Sequence, residues 1–270
     1  IEDAQQHDAH NHSVDDKTGF VTKSILTVPV IFGDKCFGCL QAINRLDDSG
    51  YIASFSKDHL QVIEKLAAVL AVALQNVDLA TELVKDALIK KDLKSAEEVQ
   101  SSLFPQFDTL DSIVGQVIPA RNLSGDFLDF VQTKDKVIFC QGDVAGKGIP
   151  AALTVARCLA LFRYLAKSDK SVVDIARSIN TEIYDAMSQD SLNSGFVTFF
   201  IGTYQPSTGD VSFINCGHGE VLLFQPDAPA QALSGHLPPF GFVESEALTF
   251  DSQPANVSQG CLCIFTDGVS

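Results

Sequence analysis

The chain has 270 residues, 46% of them hydrophobic and 20% charged, a length and composition that support one or two buried cores. A formal net charge of -15 and an isoelectric point near 4.6 argue against nucleic acid and anionic membrane surfaces as partners, because both require a basic footprint. No unbroken apolar run reaches the roughly 18–20 residues of a spanning helix, and the chain opens on acids and histidines, so the sequence predicts a cytoplasmic protein.

In chain order, "HDAHNHS" clusters His7, His10 and His12 among acids and turn formers, with no helical or strand period; it reads as a solvated loop. Residues 24–32 and 36–43 read as two strands joined by a turn at "GDK". The period then changes. Leu60, Ile63, Leu66, Ala67, Leu70, Ala73, Leu74 and Val77 recur at three and four, predicting a helix with Ser56 as N-cap and no Gly or Pro before Pro105. Such length suggests a coiled coil or a signalling linker. Leu88, Leu93, Ala96, Val99 and Leu103 form a stripe for a partner helix, or one that packs on the protein's own domains.

Beyond Pro105, strands are expected at "SIVGQVIPA", "FLDFVQ", "KVIFCQGDV", "TFFIGTYQP", "VSFINCGH", "EVLLFQP" and "CLCIFTDG", with helices over 150–166 and 171–188. Many strands with two helices give an α+β class rather than a regular βαβ alternation. The seven cysteines follow apolar segments, which predicts reduced, buried thiols. Cys36 and Cys39 form C-x-x-C without a second pair at zinc spacing, and Cys261 and Cys263 alternate as strand residues do.

The stretch "QGDVAGKGIP", residues 141–150, superficially resembles a phosphate-binding loop. It fails that pattern: Gly142 to Gly146 is one residue short, and Gly148 stands where the metal-binding hydroxyl belongs. What it offers is Asp143 at a strand end beside glycines. Asp126 in "NLSGDFLDF" and Asp267 in "CLCIFTDGV" share that setting, and acids converging in one place repel unless a hard cation neutralises them. On spacing alone, turn or helix-capping acids account for the pattern as well. His218 in "NCGHGE" reads as a turn histidine, Asp129 as a support to the acids around it, and Lys147 and Arg121 as solvated charges.

From about Leu93 onward, "AEEVQSSLFP", "ARNLSGDFLDF", "GDVAGKGIPAAL", "NCGHGEVLLF" and "IFTDGV" stand in the order found in bacterial SpoIIE/RsbU-type serine phosphatases of the PPM (PP2C-like) family, which this region resembles. Ser124 and Leu128 depart from the glycine and tyrosine more usual there. The resemblance implies an αββα sandwich with two Mn2+ or Mg2+ ions. Asp126 would bridge both ions, Asp143 and the Val144 carbonyl would bind one, and Asp267 the second. It further implies a phosphorylated anti-anti-sigma (STAS) protein as substrate. The family has another metal-binding aspartate beyond the "TDG" strand, so the resemblance implies a C-terminally incomplete domain.

Residues 1–80 resemble the second half of a GAF sensor domain, through "FGCLQAINR" and "FSKDHLQVIEKLAAVLAVAL". That implies a small-molecule ligand; Asn44, Arg45, Phe55 and Asp58 match the cyclic-nucleotide signature only in part, with His59 where an acid belongs. The expected organisation is a GAF half over 1–80, a helical linker over 81–104 that pairs in a homodimer, and a phosphatase domain over 105–270. Two other readings stay open: a catalytically silent sensor or scaffold, and a receptor for a GAF ligand.

Overall fold

A computed structural model describes residues 4–7, 17, 19, 21–107, 112–119, 122–189, 195–219 and 221–269; His10, His12 and Arg121 lie outside them. The chain divides into two compact units, Ile1–Lys90 and Lys91–Ser270.

In the first unit, β1 (Ile25–Phe32) and β2 (Lys35–Ile43) form an antiparallel hairpin, with Gly33 at φ 57° in the turn. Helix α1 spans Lys57–Ser101. Its start follows from the sequence. Ser56 Oγ accepts from the His59 N–H at 3.4 Å, and His59 Nδ1 accepts from the Ser56 N–H at 2.9 Å, so His59 takes the reciprocal place usually held by Glu or Gln. Leu60, Ile63, Ala67, Ala71 and Leu74 pack against Val28, Val30, Phe37 and Leu40. The residues of the partial nucleotide signature have local work: Asn44 Oδ1 accepts from the Lys23 N–H at 2.7 Å, and Arg45 Nε donates to the Ser54 carbonyl at 2.7 Å. Of the stripe expected along α1, Leu88 and Val99 are exposed and Leu93 and Ala96 half-buried; Leu83, Val84 and Ile89 are exposed beside it.

In the second unit, five strands form an antiparallel sheet in the order β3 (Asp126–Gln132), β4 (Val137–Val144), β5 (Val197–Gln205), β6 (Asp210–Cys216), β9 (Gln253–Asn256). A second sheet has the order β10 (Cys261–Ile264), β7 (Val221–Phe224), β8 (Gln231–Leu233). Helices α2 (Ile149–Ala166) and α3 (Val172–Gln189) lie on one face of the five-stranded sheet.

Side-chain alternation explains the layering. Along β5, Val197, Phe199 and Ile201 point into the helix-side core, whereas Phe200 and Tyr204 point to the opposite face. That face meets Val221, Leu223, Leu233, Leu262 and Ile264 of the smaller sheet. A strand buried on both faces reads as a near-continuous apolar run, which "VTFFIGTY" is. The α+β expectation holds: helices, a five-stranded sheet and a three-stranded sheet stack in turn. A helical layer over the smaller sheet is not among the described residues.

Four expectations are corrected. Residues 112–119 form no strand; the apolar alternation is present, but Val114 and Ile118 are 91% and 75% exposed and no described strand pairs with them. Only Cys140, Cys158 and Cys216 are buried; Cys36, Cys39, Cys261 and Cys263 are exposed, and all seven are unpaired. Leu103, assigned to the partner stripe, packs on the helix-side core of the second unit. Finally, α1 and α2 are by length and composition apolar enough to cross a membrane, because single polar residues interrupt but do not cancel their apolar stretches. For α2 the apolar face is already used: Val155, Cys158, Leu159 and Phe162 are buried in the core.

Candidate metal centre

The hairpin β3–β4 builds the site. Its register starts from Gln132↔Val137 beside the turn, and counting outward brings Asp126 directly opposite Asp143. Directly opposed like charges destabilise a strand pair. Burial sharpens the cost. Desolvation raises the pKa of Asp126, and the Asp267 charge raises it further while a hydrogen bond from the Thr266 hydroxyl opposes. Burial, then the charges of Asp126 and Asp267, push Asp143 up to about 6. Asp126 Oδ1 is buried with no hydrogen-bond partner.

Two glycines make the approach close. A Cβ on Gly142 would lie 2.5 Å from both the Phe127 ring and the Thr198 carbonyl, so only glycine fits beside Asp143. A Cβ on Gly125 would press on the Val144 carbonyl oxygen at 3.1 Å and on Asp143 Oδ1 at 3.2 Å. These two oxygens therefore converge on the space that Gly125 leaves open. Next in the chain, Gly146 and Gly148 take φ of 119° and 76°, which turns the backbone sharply into α2 and leaves Lys147 exposed.

The structure thus brings together Asp126, Asp143 and the Val144 carbonyl. Asp267, in the turn after β10, is exposed and acts on the pair through its charge. Among the described residues no three His, Cys, Asp or Glu side chains gather as a metal-holding cluster; the convergent donors are two carboxylates and one carbonyl. All are hard oxygen donors, the class preferred by Mg2+ and Mn2+. With an orphaned carboxylate oxygen beside them, they fit a dication.

His218 is buried, and burial pushes its pKa down to about 4, so it is neutral at ordinary pH. Its N–H donates to Asn215 Oδ1 at 2.9 Å, in keeping with a turn histidine, but its ring does more. Nδ1 lies 3.1 Å from Thr198 Oγ1, which accepts the Asp143 N–H at 3.2 Å. Thr198 escaped the sequence reading; the available signal was one hydroxyl inside the apolar run "VTFFIG". Asp129 is buried too, but it answers to Arg163, whose Nε donates to its Oδ2 at 2.6 Å.

Helices over one of two stacked sheets, with acids meeting at a hairpin end, place the second unit among PP2C-like folds. The SpoIIE family pattern, Stage II sporulation protein E (SpoIIE), matches residues 133–270, and the GAF domain pattern matches residues 1–74. The chain belongs to the SpoIIE family and carries a GAF region before it.

Among curated relatives, phosphoserine phosphatase RsbU of Bacillus subtilis (strain 168) is 30% identical over 135 residues, covering 48% of this chain and 38% of that protein. Protein IcfG of Synechocystis sp. (strain ATCC 27184 / PCC 6803 / Kazusa) is 26% identical over 216 residues, covering 69% and 34%. The chain therefore spans little more than a third of the length of either relative. The solved SiaA-PP2C domain of Pseudomonas aeruginosa superposes with a TM-score of 0.52 at 16% identity, over 64% of this chain and 69% of that one, a likeness of fold.

Proposed function

We propose that the chain is a metal-dependent protein serine/threonine phosphatase governed by its GAF region, acting in the cytoplasm on a phosphorylated STAS-type protein in sigma-factor signalling. The observation that carries this reading is the meeting of Asp126, Asp143 and the Val144 carbonyl around the space left by Gly125. Family membership and the likeness to RsbU, whose name gives phosphoserine as its substrate, support the reaction class. Seven unpaired thiols suit a reducing compartment.

In this reading two Mn2+ or Mg2+ ions would be held by Asp126, serving both, by Asp143 and the Val144 carbonyl on one side, and by Asp267 on the other. Bound there, the ions would supply a nucleophilic water at neutral pH and offset the phosphate's charge. The chain's own contribution is to fix these oxygens. The ladder sets Asp126 against Asp143, Thr198 holds the Asp143 backbone, and neutral His218 steadies Thr198 without adding charge. No cysteine is needed as nucleophile, and burial keeps the thiols of Cys140, Cys158 and Cys216 protonated.

Phosphate release from a phosphoserine peptide against Mn2+ concentration tests the assignment. Asp126→Asn is expected to fold and to lose Mn2+-dependent turnover; unchanged turnover would refute the role of Asp126. One observation favours a second reading, a silent scaffold: among the described residues only two carboxylates converge, with Asp267 exposed. A wild-type chain with no turnover at any Mn2+ concentration would support that alternative.

The exposed stripe of α1 supports a homodimer in which the helices pair. Leu88→Asp with Leu93→Asp should shift the mass in solution from dimer to monomer, and a monomeric wild type would refute the pairing. A small-molecule ligand of the GAF region belongs to the same proposal.

A further inference from the structure

Gln100, in the last turn of α1, is 5% exposed and spends its whole amide on one residue. Its Nε2 donates to the Ser124 carbonyl at 2.9 Å, and its Oε1 accepts from the Ser124 N–H at 2.8 Å. This is the two-bond exchange of a strand pair, made by a side chain. Ser124 needs it. The residue is buried and precedes β3, so no ladder partner serves its backbone, and buried backbone groups left unpaired are costly.

The bonds continue to the site. Ser124 Oγ donates to the Asp126 carbonyl at 2.9 Å, and the preceding carbonyl, of Gly125, accepts from the Val144 N–H at 3.1 Å. The segment that delivers Asp126 is therefore held by Gln100 at one end and by Val144 at the other. One turn earlier on α1, Glu97 Oε2 accepts from Asn122 Nδ2 at 3.3 Å, so the same helix end grips the approach to that segment as well.

We propose that Gln100 is a positioning residue for Asp126: the last turn of α1 sets the backbone of residues 124–126, and through it the placement of the carboxylate that receives metal. The inference rests on the metal reading of Asp126 and adds a dependence of that site on the helical state of residues 97–101. Uncoiling the turn would withdraw the Gln100 amide, free both Ser124 backbone groups and let Asp126 drift from Asp143.

Calorimetric titration of Mn2+ into the full chain, without substrate, tests this together with hydrogen exchange across residues 122–127. Gln100→Leu keeps the buried volume and removes both bonds. It is expected to weaken Mn2+ binding about tenfold or more, the scale of losing an outer support of a metal ligand. Exchange should quicken at residues 122–127 while α3 and β5 keep their protection. Should Gln100→Leu fail to fold, Ser124→Ala, which cuts only the bond to Asp126, should show a smaller loss in the same direction, and no loss there would overturn the proposal. Wild-type binding with unchanged affinity and exchange in a folded Gln100→Leu overturns the role of Gln100 alone. A wild-type chain that takes up no Mn2+ overturns the metal reading and this proposal with it.

Discussion

Strand β3 carries a half-buried acid, Asp126, and a buried one, Asp129, three residues apart, and they live in opposite surroundings. Burial raises the pKa of both Asp126 and Asp129. Asp129 has its cation supplied by the protein, from Arg163, and its Oδ1 also accepts the Phe130 N–H at 2.9 Å. Arg163 in turn donates to the Leu103 carbonyl at 2.5 Å, so this ion pair closes the helix side of the unit. Asp126 faces Asp143 and the charge of Asp267, with one oxygen unpartnered. The same residue type on one strand is structural where the fold answers its charge. Where the fold adds more negative charge, the acid is left to the cation that the proposed function assigns to it.

Breaking the answered end should cost most. Arg163→Ala leaves Asp129 buried and unpaired, and should destabilise the chain by about 2–3 kcal/mol, below the usual cost for a fully buried pair because Arg163 is partly exposed. Urea unfolding measures it, and adding Asp129→Leu should restore much of the loss. If Arg163→Ala were neutral, the contrast between the two acids would fail.

The unanswered end should respond with the opposite sign. Asp143 has a folded pKa of about 6 against 3.8 when unperturbed, so the metal-free fold binds this proton more tightly than the unfolded chain does. Its stabilising contribution is fully present below pH 3.8 and is lost as pH rises through about 6. Asp143→Asn should therefore stabilise the metal-free chain above pH 6 by about 1 kcal/mol, a figure discounted for the group's half exposure. Below pH 3.8 the two chains should melt alike.

Much of this was legible in the sequence because it is local. Ser56 followed by an unbroken apolar period gave the start of α1, and doubly buried β5 announced itself in "VTFFIG". The meeting of Asp126 and Asp143 follows from counting outward along one hairpin. Short polar strands gave no such signal. β8 is only "QAL", and β9 contains Pro254, tolerable because β9 is the edge of its sheet. Residues 112–119 had the right alternation but no pairing strand among the described residues, which no local pattern reveals. Thr198 and Gln100 were invisible for a related reason: their contacts span 55 and 24 residues of chain, and in sequence Thr198 is one hydroxyl in an apolar run while Gln100 is one polar residue among several.

The central claim is that Asp126 and Asp143 are held together for a cation. The most direct test is the melting temperature of the wild-type chain and of Asp143→Asn at neutral pH, each with and without Mn2+. The account predicts that Asp143→Asn melts higher than wild type without metal, and that Mn2+ raises the wild type but not the variant. A wild type indifferent to Mn2+, or a variant that melts lower without metal, would contradict it.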